Sequence, residues 1–223
     1  MKWRGFRSMH GSSWSDPGKD SEHARPLRGE VEQIGGIKQQ THPARGAPEP
    51  NVFQFVTLYT NGRKPLLGSS QSKQLLQRKL MEAKARYQLN IAGYVMLDDH
   101  VHLLYASHFT QRAEQVVDAL RNGFAQDWRR LQCGQNSARA DFDQPFWNAD
   151  HHLRLLNSEH EVHTHLNFIH YDPVRHGVAA RAADYAWSSF PARVNQGYYP
   201  EDWAVHAPPA GVAKVARLLC QTN

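Results

Sequence analysis

The chain has 223 residues, and its 26 Lys and Arg against 21 Asp and Glu give a net charge of +5 and a pI near 9.3. No apolar run approaches the roughly 20 residues of a transmembrane helix, and two cysteines, Cys133 and Cys220, are too few for a disulfide framework or a four-thiolate zinc site. The basic balance favours an acidic partner such as nucleic acid, and the 14 histidines suggest metal or phosphate chemistry. We expect a protein of the reducing cytoplasm with no membrane segment.

Residues 1–49 have the composition of a flexible N-terminal extension. They are rich in Ser, Gly, Pro and mixed charge, and their isolated apolar residues follow neither a helical nor a strand period. Such a segment buries too little apolar surface to offset the entropy lost on ordering. We therefore expect one folded domain over residues 50–205, followed by a tail over residues 206–223 that can form a short helix.

The folded part opens with a predicted strand over residues 52–59, a segment that is β-branched and aromatic. Residues 71–87 repeat apolar side chains at three- and four-residue spacing, which predicts an amphipathic helix. Residues 91–97 and 100–105 are short apolar segments separated only by Asp98-Asp99, so they predict a β-hairpin.

A longer helix is predicted over about residues 112–131, and a strand-like segment over residues 145–156 follows it. Ser158 and Glu161 form a capping-box pattern that begins a third helix. We expect this helix to end near Tyr171, because Pro173 disfavours helical geometry at the residue before it. The element order predicts an α+β fold, with an antiparallel sheet and helices packed on one face.

His100 and His102 are the first candidates for a functional site. Alternate residues of a strand point to the same face, so the two imidazoles project together from the predicted hairpin. Two such imidazoles can bind one divalent ion, and a third oxygen donor would complete a site open to substrate. The alternative is a pair of half-buried histidines without a ligand role.

Asp172 is the candidate for the third ligand. It shares one face of the third helix with His165 and Phe168, at three- and four-residue spacing. If that face packs over the hairpin, the carboxylate suits Mg²⁺ or Mn²⁺. The alternative is that Asp172 only caps the turn into Pro173.

Three segments together resemble one protein family. DDHVHLL, then NFIHYDPVRHGVAA and DYAWSSF, occur in the order and at the distances found in the REP-associated tyrosine transposases, which are single-tyrosine HUH proteins named for a His-hydrophobic-His motif. The resemblance covers roughly residues 51–203. It implies a ferredoxin-like α+β core, a bacterial and nucleoid-associated location, a monomer or homodimer, and hairpin and single-stranded DNA as partners.

The resemblance also implies a reaction. In the family, the His pair and a third ligand hold a divalent metal on the scissile phosphate of single-stranded DNA. A tyrosine on the helix attacks the phosphorus and forms a 5′-phosphotyrosine with a free 3′-OH, which stores the bond energy for rejoining during transposition. The family pattern on this helix is Tyr-Ile-His-x-Asn-Pro-Val, where the Tyr is the nucleophile and the Asn is the third ligand.

This chain departs from the pattern at both functional positions. Phe168 stands where the nucleophile is expected, and Asp172 stands where the Asn is expected. Asp keeps an oxygen donor, whereas Phe removes the attacking oxygen, so we expect impaired cleavage. Either the change was engineered, or it marks a natural copy that has lost cleavage, or Tyr171 substitutes from a position about 60° around the helix.

The remaining candidates concern DNA and the function as a whole. The family implies an enzyme, but whether this chain is one depends on its nucleophile. The main alternative to a transposase is a non-catalytic, domesticated DNA-binding regulatory protein. A third possibility is a metal-dependent phosphodiesterase with another substrate. Candidate phosphate contacts are Arg121, Arg129, Arg130, Arg154, Arg175 and His176.

Overall fold

The computed structural model describes residues 52–107, 113–134 and 144–221, so the predicted extension over residues 1–49 lies outside the described residues. None of the described helices is long and apolar enough to cross a lipid bilayer. The strands are β1 (Val52–Thr60), β2 (Asn90–Met96), β3 (His100–Ser107) and β4 (Trp147–Leu156). The helices are α1 (Ser70–Tyr87), α2 (Ala113–Gly134), α3 (Glu159–Arg175), α4 (Phe190–Asn195) and α5 (Val212–Cys220).

The four strands form one antiparallel sheet in the order β2-β3-β1-β4. This order, with α1 after β1 and α2 after β3, is that of a ferredoxin-like fold. In the central pair, Thr57 of β1 lies opposite His102 of β3, and Phe55 lies opposite Leu104. The predicted α+β class and antiparallel sheet are therefore confirmed.

The first face of the sheet is covered by α1 and α2. Leu75, Leu76 and Leu80 of α1 pack with Val117, Leu120 and Phe124 of α2 over the inward side chains of the strands. Burial of these apolar residues supplies the main driving force for folding on this side. The inward strand residues include Val56, Leu58, Val101 and Leu103, each at most 5% exposed.

The second face is covered by α3 and α5, which corrects the prediction that the helices pack on one face. That prediction holds for α1 and α2 only. The opposite face also carries apolar residues, including Phe55 and Leu104, and these need cover of their own. Leu166 and Ile169 of α3 supply part of it, and Val215 of α5 packs in the same cluster.

The predicted end of α3 near Tyr171 is wrong, because the helix runs through Pro173 to Arg175. Proline removes one helical hydrogen bond, and in the last turn only that single bond is lost. The turn is closed by other means: the Val178 amide donates to the Pro173 carbonyl at 3.0 Å, and Gly177 adopts a left-handed φ of +68°. At the other end the predicted cap is confirmed, since the Ser158 hydroxyl accepts from the Glu161 amide.

Candidate functional site

β3 and the last turn of α3 bring the predicted metal ligands together. His100 and His102 project from the face of β3 that α3 covers, and Asp172 reaches down onto them. The Asp172 Oδ2 atom lies 3.1 Å from His100 Nε2 and 3.5 Å from His102 Nε2. All three side chains are at most 2% exposed. The face of α3 that carries Asp172 therefore packs over the hairpin, as the predicted metal site requires.

The outward ring nitrogens of both histidines are held by other side chains. His100 Nδ1 lies 2.6 Å from an Asp99 oxygen, and Arg63 pairs with the other Asp99 oxygen at 3.0 Å. His102 Nδ1 lies 2.8 Å from the Thr57 hydroxyl, because Thr57 is its cross-strand neighbour. These contacts fix the ring orientations and direct both Nε2 atoms at Asp172.

Arg175 and His176 form the outer boundary of the site, and each side chain is 33% exposed. The Arg175 guanidinium binds Asp172 Oδ1 through two nitrogens, at 2.8 and 2.6 Å. It also donates to His176 Nε2 at 2.6 Å, and that nitrogen lies 3.7 Å from the same carboxylate oxygen. Arg175 and His176 are therefore partly exposed side chains in direct contact with the buried carboxylate.

The protonation states follow from burial and the close contacts. Burial would raise the pKa of Asp172, but the imidazoles of His102 and His100 hold that pKa well below its usual value. Burial also lowers the pKa of His102, to about 4, although Asp172 opposes the shift. At His100, burial is outweighed by the hydrogen bonds to Asp172 and Asp99, which raise its pKa. Near neutral pH the site thus has an ionised carboxylate and at least one neutral imidazole, the forms that bind metals.

Two observations indicate that the side chains of this site fit a divalent ion. His102 Nε2 is buried and, apart from the long 3.5 Å approach of Asp172 Oδ2, has no hydrogen-bond partner among the described residues. A buried polar atom without a full hydrogen bond is costly unless a ligand binds it. The donor atoms of His100, Asp172 and His176 also lie within 4.8 Å of one another. Imidazole nitrogens and a carboxylate oxygen together are a common ligand set for divalent metals.

Phe168 lies directly beside this group. Its ring centroid is 5.0 Å from that of His102, its side chain is fully buried, and the Arg175 guanidinium lies 5.2 Å from the ring centroid. Tyr171, the suggested substitute, is partly buried at the edge of the apolar cluster under α3. The position next to the histidines is therefore filled by a ring without a hydroxyl.

The candidate phosphate contacts fall on opposite faces of the molecule. Arg175 and His176 border the site, and Arg154 of β4 lies on the same sheet face, where it pairs with Glu161 at 2.7 Å. Arg121, Arg129 and Arg130 belong to α2, which covers the other face. Arg129 and Arg130 are exposed, and Arg130 pairs with Asp127 at 3.0 Å. Arg121 is partly buried and donates to the main-chain oxygen of Asn148.

Two positioning residues were missed from the sequence. Asp99 belongs to the predicted hairpin turn, and its place directly before His100 is the signal in the sequence that it can contact this ring. Thr57 could not be found in this way, because its contact with His102 depends on the register between β1 and β3.

Comparison with known proteins finds two curated relatives that bear the same family name. No family model matches the chain. A REP-associated tyrosine transposase of Escherichia coli K12 is 26% identical over 156 residues, which span 67% of this chain and 83% of that protein. A provisionally named REP-associated tyrosine transposase of Haemophilus influenzae Rd is 25% identical over 124 residues, or 52% of this chain and 68% of that protein.

A solved structure shares the fold. It is a REP-associated tyrosine transposase bound to a REP hairpin, and it superposes with a TM-score of 0.57 at 22% identity, covering 69% of this chain and 85% of the other. The two curated relatives, together with this fold, confirm the similarity to the REP-associated tyrosine transposases that the motifs predicted.

Proposed function

We propose that this protein binds hairpin or single-stranded DNA at the α3 face of its sheet, and that it has lost efficient tyrosine-mediated strand cleavage. The observation that carries this proposal is the fully buried Phe168 ring, 5.0 Å from His102, at the position of the family nucleophile. The DNA partner is supported by the solved relative, which is bound to a REP hairpin.

In this proposal His100, His102 and Asp172 hold a divalent metal ion, which would withdraw charge from a phosphate placed on it. Asp99 and Thr57 keep the two imidazoles oriented toward that position. Arg175 and His176, at the open side of the site, are the first groups that an approaching phosphate meets. Phe168 offers no oxygen to the phosphorus, so no covalent bond to DNA forms at this residue.

The test uses a labelled REP-type hairpin with flanking single-stranded bases, incubated with the full chain and Mn²⁺. We expect binding in a mobility-shift assay but no covalent adduct on a denaturing gel. The variant F168Y restores the missing hydroxyl and is expected to form an adduct, which mass spectrometry should map to residue 168. The double variant F168Y/H100Q is the matched control, because it has the tyrosine but an incomplete ligand set.

Two outcomes would change the proposal. If the unmodified chain forms an adduct that Y171F abolishes, Tyr171 is the working nucleophile and cleavage has not been lost. If F168Y binds the hairpin but never forms an adduct, the alternative of a non-catalytic, domesticated DNA-binding protein is favoured. Failure of all variants to bind hairpin DNA would overturn the DNA partner itself.

A further inference from the structure

We propose that His176 is an additional ligand of the ion at this site, and that the resulting imidazole-rich set selects Zn²⁺ or Co²⁺ over Mg²⁺. The inference rests on the proposed function, because it concerns the ion of the same site. It adds one ligand to that site and names the metal that the enlarged ligand set prefers.

The first support is the position of the His176 ring. Its Nε2 atom lies 3.7 Å from Asp172 Oδ1, and its ring centroid lies 5.1 Å from that of His100. The donor atoms of these three residues lie within 4.8 Å of one another. Small side-chain rotations would therefore bring them to the roughly 2.0–2.2 Å at which nitrogen and carboxylate oxygen bind Zn²⁺.

The second support is the cation that these atoms already bind. The Arg175 guanidinium contacts Asp172 Oδ1 and donates to His176 Nε2 at 2.6 Å. A nitrogen that accepts this hydrogen bond directs its lone pair at the guanidinium, so the lone pair of His176 and the Asp172 carboxylate face the same cation. Asp172 and His176 thus form a small cation-binding pair, in which the guanidinium takes the place that a metal ion would share with them.

The third support is that the backbone fixes His176 in this position. The His176 amide donates to the Asp172 carbonyl at 3.0 Å, so both residues belong to the closing turn of α3. Residues four apart in such a turn lie on one side of the helix. Gly177, with its φ of +68°, then leads the chain away.

Ligand chemistry gives the metal preference. The group of mutually close donor atoms comprises two imidazoles, from His100 and His176, and the Asp172 carboxylate, and His102 Nε2 adjoins that carboxylate at 3.5 Å. Mg²⁺ prefers oxygen ligands and keeps much of its water, whereas imidazole suits Zn²⁺ and similar transition ions. Affinity at such a site also rises along the series from Mn²⁺ to Co²⁺.

The experiment measures metal binding by the full chain without DNA. Isothermal titration with Zn²⁺, Co²⁺ and Mg²⁺ gives the affinities, and the visible absorption of Co²⁺ reports its coordination. Three variants are compared: H176Q, H100Q and H160Q. H160Q is the matched control, because His160 is an exposed histidine in the first turn of the same helix.

We expect Zn²⁺ and Co²⁺ to bind more tightly than Mg²⁺. H176Q should weaken Co²⁺ binding at least about tenfold, since loss of even an outer-shell partner costs 10–100-fold, and it should alter the Co²⁺ spectrum. H160Q should behave as the unmodified chain. Unchanged Co²⁺ affinity and spectrum in H176Q, or tighter binding of Mg²⁺ than of Co²⁺, would overturn the inference.

H100Q separates the two proposals. If H100Q loses Co²⁺ binding but H176Q does not, the ion binds as in the proposed function and only the role of His176 fails. If both variants bind Co²⁺ as the unmodified chain does, the metal site itself is overturned. Hairpin binding in the presence of a chelator is measured separately, so a negative metal result does not decide the DNA partner.

Discussion

The two faces of the sheet are built by the same strands but carry different chemistry. In β3, Val101 and Leu103 point toward α1 and α2 and join an apolar cluster. His100 and His102, which alternate with these two residues, point toward α3 and contact the buried carboxylate of Asp172. Both faces gain stability from apolar burial, but the α3 face also contains charged and polar groups that burial penalises unless they are paired.

This difference separates stability from function along a single strand. Substitutions on the α1/α2 face should lower the free energy of unfolding and leave ligand binding intact in the molecules that remain folded. Substitutions of the buried polar side chains on the α3 face should change ligand binding or the pH dependence of stability. The following predictions test that separation.

The largest effect is expected at Leu103, which is 3% exposed on the α1/α2 face. L103A removes buried methyl groups and leaves a cavity, so the free energy of unfolding should fall by about 2–5 kcal/mol. Urea denaturation measures this loss, and titration with Co²⁺ under native conditions should show unchanged affinity. H102Q, one residue away, should weaken Co²⁺ binding instead. Weakened Co²⁺ binding by folded L103A would contradict the separation.

Acid should destabilise the protein through His170 of α3, which is buried. Burial lowers the pKa of His170 to about 3, from an ordinary value of 6.5, and the ring lies against Phe190 and Tyr199. Below pH 6.5 the unfolded chain gains a proton at this residue that the folded chain excludes. Stability should therefore fall as the pH drops toward 3, by up to about 1.4 kcal/mol per pH unit.

H170Q tests the origin of this acid sensitivity. Urea denaturation at pH 7 and pH 5, with a chelator present, should show a smaller loss of stability in H170Q than in the unmodified chain. Gln can retain a hydrogen bond to Ser189, which His170 Nε2 contacts at 2.9 Å. Equal losses in the two proteins would assign the sensitivity to another group.

Gly93 tests how closely α3 approaches the sheet. A Cβ atom at Gly93 of β2 would overlap Leu166 Cδ1 of α3, so G93A should destabilise the protein by about 1–3 kcal/mol. G123A on α2 is the matched control, since its Cβ would meet Lys79 Cδ at an ordinary 3.5 Å. The control should be neutral or slightly stabilising, because Ala favours a helix more than Gly does. Thermal unfolding of both variants measures the contrast.

The smallest effect is expected at Arg175. R175Q removes the cation that pairs with Asp172, so Co²⁺ should bind more tightly by up to about fivefold, the equivalent of the ~1 kcal/mol that a partly exposed ion pair contributes. R175K retains the charge and should change the affinity less. Titration with Co²⁺ compares the three proteins, and weaker binding by R175Q would show that Arg175 supports the ion rather than competing with it.

The features that were predicted correctly follow from local rules of strand and helix geometry. Strand alternation is sufficient to place His100 and His102 on one face, and the Ser158–Glu161 pattern is sufficient to locate the start of α3. The pairing of Asp172 with the histidines could only be stated conditionally, because it depends on how α3 docks on the sheet. Two features depend on tertiary packing, which overrides local preference. The first is that α3 continues through Pro173, and the second is that α3 and α5 cover the other face of the sheet.

Tertiary packing also explains why some site contacts were not predicted. Thr57 orients His102 only because β1 and β3 pair in one particular register. Arg175 is predicted to contact phosphate, whereas in the structure its guanidinium binds Asp172, three residues earlier in the same helix turn. The separation of the candidate arginines between two faces likewise became visible only with the complete sheet.

The long separation between His100 and Asp172 has a consequence for how the site is made. The two residues are 72 positions apart in the chain. At a synthesis rate of about 5–20 residues per second, the carboxylate is added roughly 4–14 s after the imidazole. β1, β2 and β3 can pair during that interval, but the ligand set is incomplete until α3 has been translated and has docked. Capture of the proposed ion would therefore follow the docking of α3, which places it late in the folding of the protein.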